Sequence, residues 1–199
     1  MIQISENLFI RLFTSEDATN LFKLINENRE VLRQWLPWID MNTAESASLD
    51  FIENTLGNQW GIFYKDNLVG VVGLPYCTED KKEVTIGYWL SPQVWGLGIM
   101  TCVCKKFIDH LYDNGTEIIN VFVANINKKS LNVIKKLGFE ITGLKEDGEH
   151  LLGEKYDQIV FNLTKKAYLK QKEFEQIAIQ ELSKLLKSKN LSQMSNISS

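Results

Sequence analysis

The chain has 199 residues, of which 44% are hydrophobic and 24% charged, an ordinary composition for a globular protein. No apolar run approaches the ~20 residues that span a membrane, and the first residues lack the basic start and apolar core of a signal peptide. The three cysteines have the spacing of neither a disulfide framework nor a zinc site. We therefore expect a cytoplasmic protein with no metal and no membrane association.

The net charge of −3 is unevenly distributed. Residues 165–199 contain seven lysines and three glutamates, which leaves a charge of −7 on residues 1–164. An acidic domain binds nucleic acids poorly, so we expect no direct nucleic-acid binding. The same acidity favours cationic substrates, although solubility alone would explain it.

The hydrophobic pattern predicts an α/β chain in which strands and helices are mixed. In chain order, we expect a strand at 3–13, a helix beginning at 14–17, an aromatic cluster at 32–38, a helix at 44–56, a hairpin of strands at 61–64 and 68–74, a strand at 84–90, a helix at 99–113, a strand at 118–123, a helix at 128–137, and strands near 139–146 and 154–163. We assign residues 1–164 to one domain.

The C-terminal residues differ in character from this domain. Between 165 and 190, apolar residues recur at three- and four-residue steps with lysines between them, which predicts one amphipathic helix. That helix could pack on the domain or on a second subunit. Residues 191–199 are rich in Ser and Asn, and we expect them to be disordered.

The segment Gln93-Val94-Trp95-Gly96-Leu97-Gly98 separates a predicted strand from a predicted helix. Its two glycines allow the backbone to approach a ligand closely, and the helix N-terminus behind them favours negative charge. A pyrophosphate would suit such a loop. The segment is not a P-loop, because no Lys-Ser or Lys-Thr follows, and it lacks the third glycine of GxGxxG. A turn whose glycines serve steric needs alone is the alternative.

The order of strand, glycine loop, helix, strand and a short helix ending in Leu137-Gly138-Phe139 resembles the GNAT superfamily of acetyl-CoA-dependent N-acetyltransferases. Gln93, Gly96 and Gly98 match the family's Arg/Gln-x-x-Gly-x-Gly/Ala pattern. Four segments resemble its ribosomal-protein N-terminal acetyltransferase branch: Leu32-Arg33-Gln34-Trp35-Leu36-Pro37-Trp38, Ile86-Gly87-Tyr88-Trp89-Leu90, Gly98-Ile99-Met100-Thr101 and Asn127-Lys128-Lys129-Ser130. The resemblance covers residues 5–164.

The resemblance implies the GNAT fold, in which a central, mixed, mostly antiparallel sheet splays between two parallel strands and is flanked by helices. Acetyl-CoA would lie where strands 84–90 and 118–125 separate. Asn127 would hold the pantetheine arm, and a helix N-cap is its alternative or additional role. The implied cofactor-binding residues are Trp89, Leu90, Gln93, Val94, Trp95, Gly96, Leu97, Gly98, Ile99, Met100, Thr101, Asn127 and Ser130.

The reaction implied by the resemblance is direct attack of a neutral amine on the thioester. Many family members protonate the leaving thiolate with a tyrosine, but this chain has Ile134 at that position. In the ribosomal-protein branch a serine takes the role of that tyrosine, and Ser130 matches this serine. Many members also carry a glutamate where this chain has Thr85, and Glu149 matches the branch's candidate base. Alternatively, Ser130 serves only to start the helix, Glu149 only to form a turn, and His150 is the base.

An α-amine titrates near ~7.7–8.0 and a lysine side chain near ~10.4, so a site without a strong base suits an α-amine. With this preference, the resemblance implies an N-acetyltransferase that acts on the N-terminal amine of a ribosomal or other basic protein. The resemblance and the amphipathic C-terminal helix together lead us to expect a homodimer. A small-amine acetyltransferase, for a polyamine or an aminoglycoside, and a non-catalytic acyl-CoA-binding module are the alternatives. Trp35 and Trp38 are candidates for a substrate groove or for the core.

Overall fold

The structure, a computed structural model, describes residues 1–195, with side chains described to residue 186. The strands are β1 (Ile2–Ser5), β2 (Leu8–Leu12), β3 (Gln59–Tyr64), β4 (Asn67–Cys77), β5 (Glu83–Leu90), β6 (Ile118–Ala124), β7 (Glu140–Leu151) and β8 (Glu154–Thr164). The helices are α1 (Ala18–Leu32), α2 (Glu45–Asn54), α3 (Ile99–Asp113), α4 (Lys128–Lys136) and α5 (Lys165–Ser195).

The strands form one eight-stranded sheet in the order β1-β2-β3-β4-β5-β6-β8-β7. Neighbours from β1 to β5 are antiparallel, as are β7 and β8, whereas β5 and β6 run parallel. The parallel ladder pairs Glu83–Thr85 with Ile118–Asn120 and ends there. The predicted fold class, a mixed and mostly antiparallel sheet with helices around it, is confirmed.

Two predicted strand boundaries are wrong. The run 3–13 is two strands, β1 and β2, because the polar residues Glu6 and Asn7 form a turn that pairs Ile2 with Ile10. The strand predicted to end at residue 146 continues to Leu151. The sequence of this extension is polar, so no hydrophobic pattern predicts a strand there. Pairing with β8 maintains the strand instead.

Helices α1 and α2 cover one part of the sheet through a continuous apolar cluster. The buried members of the cluster are Phe13, Ala18, Leu21, Ile25, Leu32, Ile39, Ile52 and Val71. Partly buried side chains at its edge include Leu36, Trp38, Phe51 and Trp89. The segment between the two helices is therefore fixed by packing against the middle of the sheet.

An ion pair fixes the start of α1. The guanidinium of Arg11 donates two hydrogen bonds to the Asp17 carboxylate, each 2.7 Å long, and the Thr14 backbone N–H donates a third of 2.9 Å. Burial by itself would raise the pKa of Asp17, but the hydrogen bonds from Arg11 and Thr14 outweigh it, so the pKa lies below its usual value. The folded state therefore favours the ionised carboxylate.

The chain divides after Leu163 into two compact units. The second contains α5, which continues to Ser195, five residues beyond the predicted end, and has no Gly or Pro to interrupt it. Up to residue 186, seven of its large apolar side chains are at least half exposed: Leu169, Phe174, Ile177, Ile179, Leu182, Leu185 and Leu186. Residues 196–199 of the predicted tail lie outside the described residues. Among residues 1–195, every helix is too short or too polar to cross a membrane.

Candidate active site

A cavity of about 560 Å³, which we call the cofactor cavity, opens between β5 and β6 beyond the end of their parallel ladder. Residues 86–90 of β5 and 121–124 of β6 form two of its walls. The glycine loop with the start of α3 and one face of α4 also line it, as do residues of β7 and of the segment after α1. Its volume lies within the roughly 300–1,000 Å³ of small-molecule sites. The splay of two parallel strands therefore creates a ligand-sized space.

The glycine loop adopts a conformation that requires glycine. Gly96 has φ +78° and Gly98 has φ +77°, both in the left-handed region. A Cβ at either position would meet no atom within 4 Å, so backbone conformation rather than space excludes larger residues. Gly98 is the N-cap of α3, and Ile99 to Thr101 follow along the cavity wall. The helix N-terminus thus faces a space suited to an anion.

All but two of the predicted cofactor-binding residues line this cavity. The eleven that do are Trp89, Leu90, Val94, Trp95, Gly96, Gly98, Ile99, Met100, Thr101, Asn127 and Ser130. Of the other two, Gln93 accepts a hydrogen bond from the Ser91 hydroxyl, and the side chain of Leu97 is exposed. Their side chains serve the loop and its outer surface instead.

Lys129, which the sequence analysis did not select, joins two walls of the cofactor cavity. Its Nζ lies 3.4 Å from the centroid of the Trp95 ring, a cation–π contact. Trp95 Nε1 in turn donates a 2.9 Å hydrogen bond to the Leu90 carbonyl. Lys136 lines the same cavity two turns further along α4. These lysines give the wall a positive charge that complements phosphate groups.

The hydroxyl groups of Tyr88 and Ser130 are 2.8 Å apart, and either can be the donor. Both residues line the cofactor cavity. Burial raises the pKa of Tyr88, so its hydroxyl keeps its proton at ordinary pH. Asn127 Oδ1 accepts a 3.1 Å hydrogen bond from the Ser130 backbone N–H, which confirms the N-cap role of Asn127. Ser130 is thus held through both its backbone and its side chain.

Glu149 lines the cofactor cavity together with Ser130. It lies in β7 opposite Tyr156 rather than in a turn, although the pairing is irregular between Lys145 and Glu149. Its Oε2 accepts a 2.6 Å hydrogen bond from Gln158 Nε2. His150, the alternative base, is exposed and does not line the cavity, because successive strand residues point to opposite faces.

A second cavity of about 470 Å³, which we call the apolar cavity, lies between the α1–α2 segment, α2 and the sheet. It shares Leu36, Gly87, Tyr88 and Trp89 with the cofactor cavity. Trp38 lines this cavity, whereas Trp35 lines the cofactor cavity. The two predicted groove tryptophans therefore lie in adjoining spaces rather than in one groove.

The cysteines offer no nucleophile to this site. Cys104 is buried in α3, and burial raises the pKa of its thiol, which disfavours the thiolate. Cys102 is exposed, Cys77 is the last residue of β4, and none of the three cysteines lines the cofactor cavity. In the described part of the chain, no three His, Cys, Asp or Glu side chains form a group that could hold a metal ion.

The sequence profile of the acetyltransferase (GNAT) domain matches residues 7–140, which include the glycine loop, α4 and the sheet from β2 to β6. The chain belongs to the GNAT acetyltransferase family. The fold class and the family predicted from the sequence are thus both confirmed.

Individual relatives support this assignment. YdaF of Bacillus subtilis (strain 168), a putative ribosomal N-acetyltransferase by name, is 26% identical over 179 residues, which cover 83% of this chain and 96% of YdaF. The ribosomal-protein-serine acetyltransferase of Escherichia coli (strain K12) is 27% identical over 166 residues, 79% of this chain and 92% of that protein. A solved structure of the microcin self-immunity acetyltransferase MccE, in complex with acetyl-CoA and AMP, is 27% identical with a TM-score of 0.76, covering 81% of this chain and 94% of MccE.

Proposed function

We propose that this GNAT acetyltransferase transfers the acetyl group of acetyl-CoA to the N-terminal α-amine of a ribosomal or other basic protein. The observation that carries the proposal is that Ser130 and Glu149 line the same cavity as the glycine loop. A proton donor, a proton acceptor and an anion-binding loop thus surround one ligand-sized space. The E. coli relative named for ribosomal-protein serine acetylation supports a ribosomal protein as the acceptor.

The residues present fit acetyl-CoA. The left-handed Gly96 and Gly98, the N-terminus of α3 and the cation of Lys129 suit a pyrophosphate. The β5 edge beyond Thr85, where the parallel ladder ends, suits the amide groups of the pantetheine arm. When bound, acetyl-CoA supplies a thioester whose acetyl group is transferred and whose sulfur leaves.

The roles of the side chains follow from this placement. Glu149 accepts the proton that the attacking amine loses as the C–N bond forms. Ser130 Oγ donates a proton to the sulfur as the C–S bond breaks. Ser130 then regains a proton from water and Glu149 releases one to it, which balances the exchange. Tyr88 acts as a positioning residue, because its protonated hydroxyl holds the Ser130 side chain in place.

The charge of the chain supports a basic acceptor. Residues 1–164 carry a charge of −7, and a negative domain attracts cationic segments from a distance. The N-terminal segments of basic proteins combine such charge with a terminal amine of lower pKa than lysine. Both properties suit a cavity whose candidate base is the carboxylate of Glu149.

The decisive experiment measures thiol release from acetyl-CoA with free N-terminal peptides, N-terminally blocked peptides, spermidine and an aminoglycoside. We expect turnover with the free N-terminal peptides alone. Replacing Ser130 or Glu149 by Ala should lower kcat/KM by about 10²-fold, whereas the control Ser183→Ala, at an exposed serine of α5, should leave it unchanged. Turnover with small amines alone, or cofactor binding without turnover on any acceptor, would contradict the proposal.

A homodimer and a cytoplasmic location remain predictions that belong with this proposal. The exposed apolar side chains of α5 offer a surface that a second copy could cover. The cysteines described are all free thiols, as is usual in a reducing compartment. A monomer mass by light scattering would dismiss the dimer.

A further inference from the structure

The apolar cavity carries no charged side chain among the described residues that line it. Most of its lining is apolar and includes Leu36, Trp38, Met41, Phe51, Val71 and Pro75, and its polar side chains, Asn42, Thr55, Gln59 and Tyr88, are uncharged. Several of these side chains also belong to the apolar cluster beneath α1 and α2. The cavity is therefore an opening in the core, whereas the cofactor cavity is lined by Lys129, Lys136 and Glu149.

The apolar cavity adjoins the cofactor cavity along β5. Gly87, Tyr88 and Trp89 line both spaces, as does Leu36 of the α1–α2 segment. The Tyr88 hydroxyl also lies 2.8 Å from that of Ser130. A molecule seated in the apolar cavity therefore lies beside Tyr88, which contacts the proposed proton donor Ser130.

We infer that the preferred acceptor carries a large apolar side chain on the residue that bears its amine, and that this side chain occupies the apolar cavity. The inference rests on the proposed function, and it distinguishes this site from the E. coli relatives that are named for serine and alanine acetylation. A cationic or anionic side chain placed there would lose its hydration without gaining a partner of opposite charge. An apolar group would exchange water for contact with Trp38 and Phe51, whose rings stack 5.9 Å apart.

The same lining bears on the amine itself. Apolar surroundings disfavour the charged form of an amine and so lower its pKa. A neutral amine is the form that attacks, so an uncharged cavity assists a site whose candidate base is Glu149. A polyamine or an aminoglycoside would bring several ammonium groups to the same surface, and these would remain unpaired.

The test compares free N-terminal peptides that share one basic body and differ in the first residue. Leu, Phe, Gly, Lys and Asp are placed at that position, and spermidine is included. We expect kcat/KM for the Leu and Phe peptides to exceed that for the Lys and Asp peptides by at least about tenfold. Binding of the same peptides in the presence of CoA, measured by calorimetry, should follow the same order.

A charge placed at the mouth of the cavity tests its role directly. Met41 lines the cavity and is 74% exposed, so Met41→Glu adds a carboxylate without burying it in the core. Leu56 is 69% exposed and does not line the cavity, so Leu56→Glu is the matched control. We expect Met41→Glu to reduce the Leu-to-Lys preference at least about threefold, with unchanged acetyl-CoA binding, and Leu56→Glu to leave it unchanged.

The outcomes separate the inference from the proposed function. Equal turnover of all free N-terminal peptides, or a preference for Lys or spermidine, overturns the inference. Equal effects of Met41→Glu and Leu56→Glu overturn it as well, because the charge would then act from anywhere on the surface. Binding of acetyl-CoA without turnover of any acceptor overturns the proposed function and the inference together.

Discussion

The hydroxyl of Tyr88, at the end of β5, lies 2.8 Å from the hydroxyl of Ser130, in the first turn of α4. The two residues are 42 positions apart in the chain and come from opposite walls of the cofactor cavity. Burial raises the pKa of Tyr88, so this contact joins two protonated hydroxyls. The hydrogen bond therefore links β5 to α4 across the cofactor cavity.

Replacing Tyr88 by Phe should lower kcat through Ser130. Removing one hydrogen bond of about 1–1.5 kcal/mol corresponds to about a tenfold loss, and Ser130→Ala should cost about 10²-fold. Because Tyr88 acts only through Ser130, the double variant should be no slower than Ser130→Ala alone. Single-turnover kinetics measure these rates, with the acetyl-CoA Kd as the control. Additive losses in the double variant would show that Tyr88 acts independently.

Gly98→Ala should weaken acetyl-CoA binding. The φ of +77° costs a residue with a Cβ about 1–2 kcal/mol, so we expect about a tenfold higher Kd or a comparable loss of stability. Gly143→Ala is the matched control, because its Cβ would make only ordinary contacts, at 3.7 Å, with Val160. Calorimetry and urea unfolding of both variants check this. Equal effects of the two substitutions would contradict a conformational requirement at Gly98.

Lys129→Ala should weaken cofactor binding in a salt-dependent manner. The substitution removes a cation that lies 3.4 Å from the centroid of the Trp95 ring and lines the cofactor cavity. We expect a Kd for acetyl-CoA about three- to tenfold higher at low salt, and a smaller difference at high salt, because ions screen phosphate contacts. Lys135→Ala, on the same helix but outside the cavity, should leave the Kd unchanged. Equal increases in Kd for the two variants would show that the net charge of α4, and not the position of Lys129, controls acetyl-CoA binding.

Asp17→Asn should destabilise the domain at neutral pH by about 1–3 kcal/mol, since Arg11 then lacks its carboxylate. Hydrogen bonds keep the pKa of Asp17 below its usual value despite burial. The stability that the carboxylate contributes is therefore present above its unfolded pKa and lost as the pH falls through its folded pKa. Urea unfolding across this range should show the wild-type advantage shrinking in acid. Glu16→Gln, exposed and adjacent, is the control, and it should change stability little at any pH.

Local patterns were sufficient for the helices that frame the site. The predicted helix 99–113 agrees with α3, and 128–137 agrees with α4 to within one residue. The start of α3 is marked by a glycine and the start of α4 by Asn127. Both signals depend only on residues that are neighbours in the chain. Boundaries that depend on cross-strand pairing were missed, as β7 shows, because a polar strand carries no hydrophobic pattern of its own.

The sequence alone determined the family, the order of elements and the loop that suits a pyrophosphate, because these depend on residues close together in the chain. The partners of each side chain were decided by tertiary structure. The contact of Tyr88 with Ser130, the ring of Trp95 beneath Lys129, and the separation of Trp35 from Trp38 into two cavities all depend on how different elements meet. The first two contacts depend on how far β5 and β6 diverge, and no spacing within one segment specifies that distance.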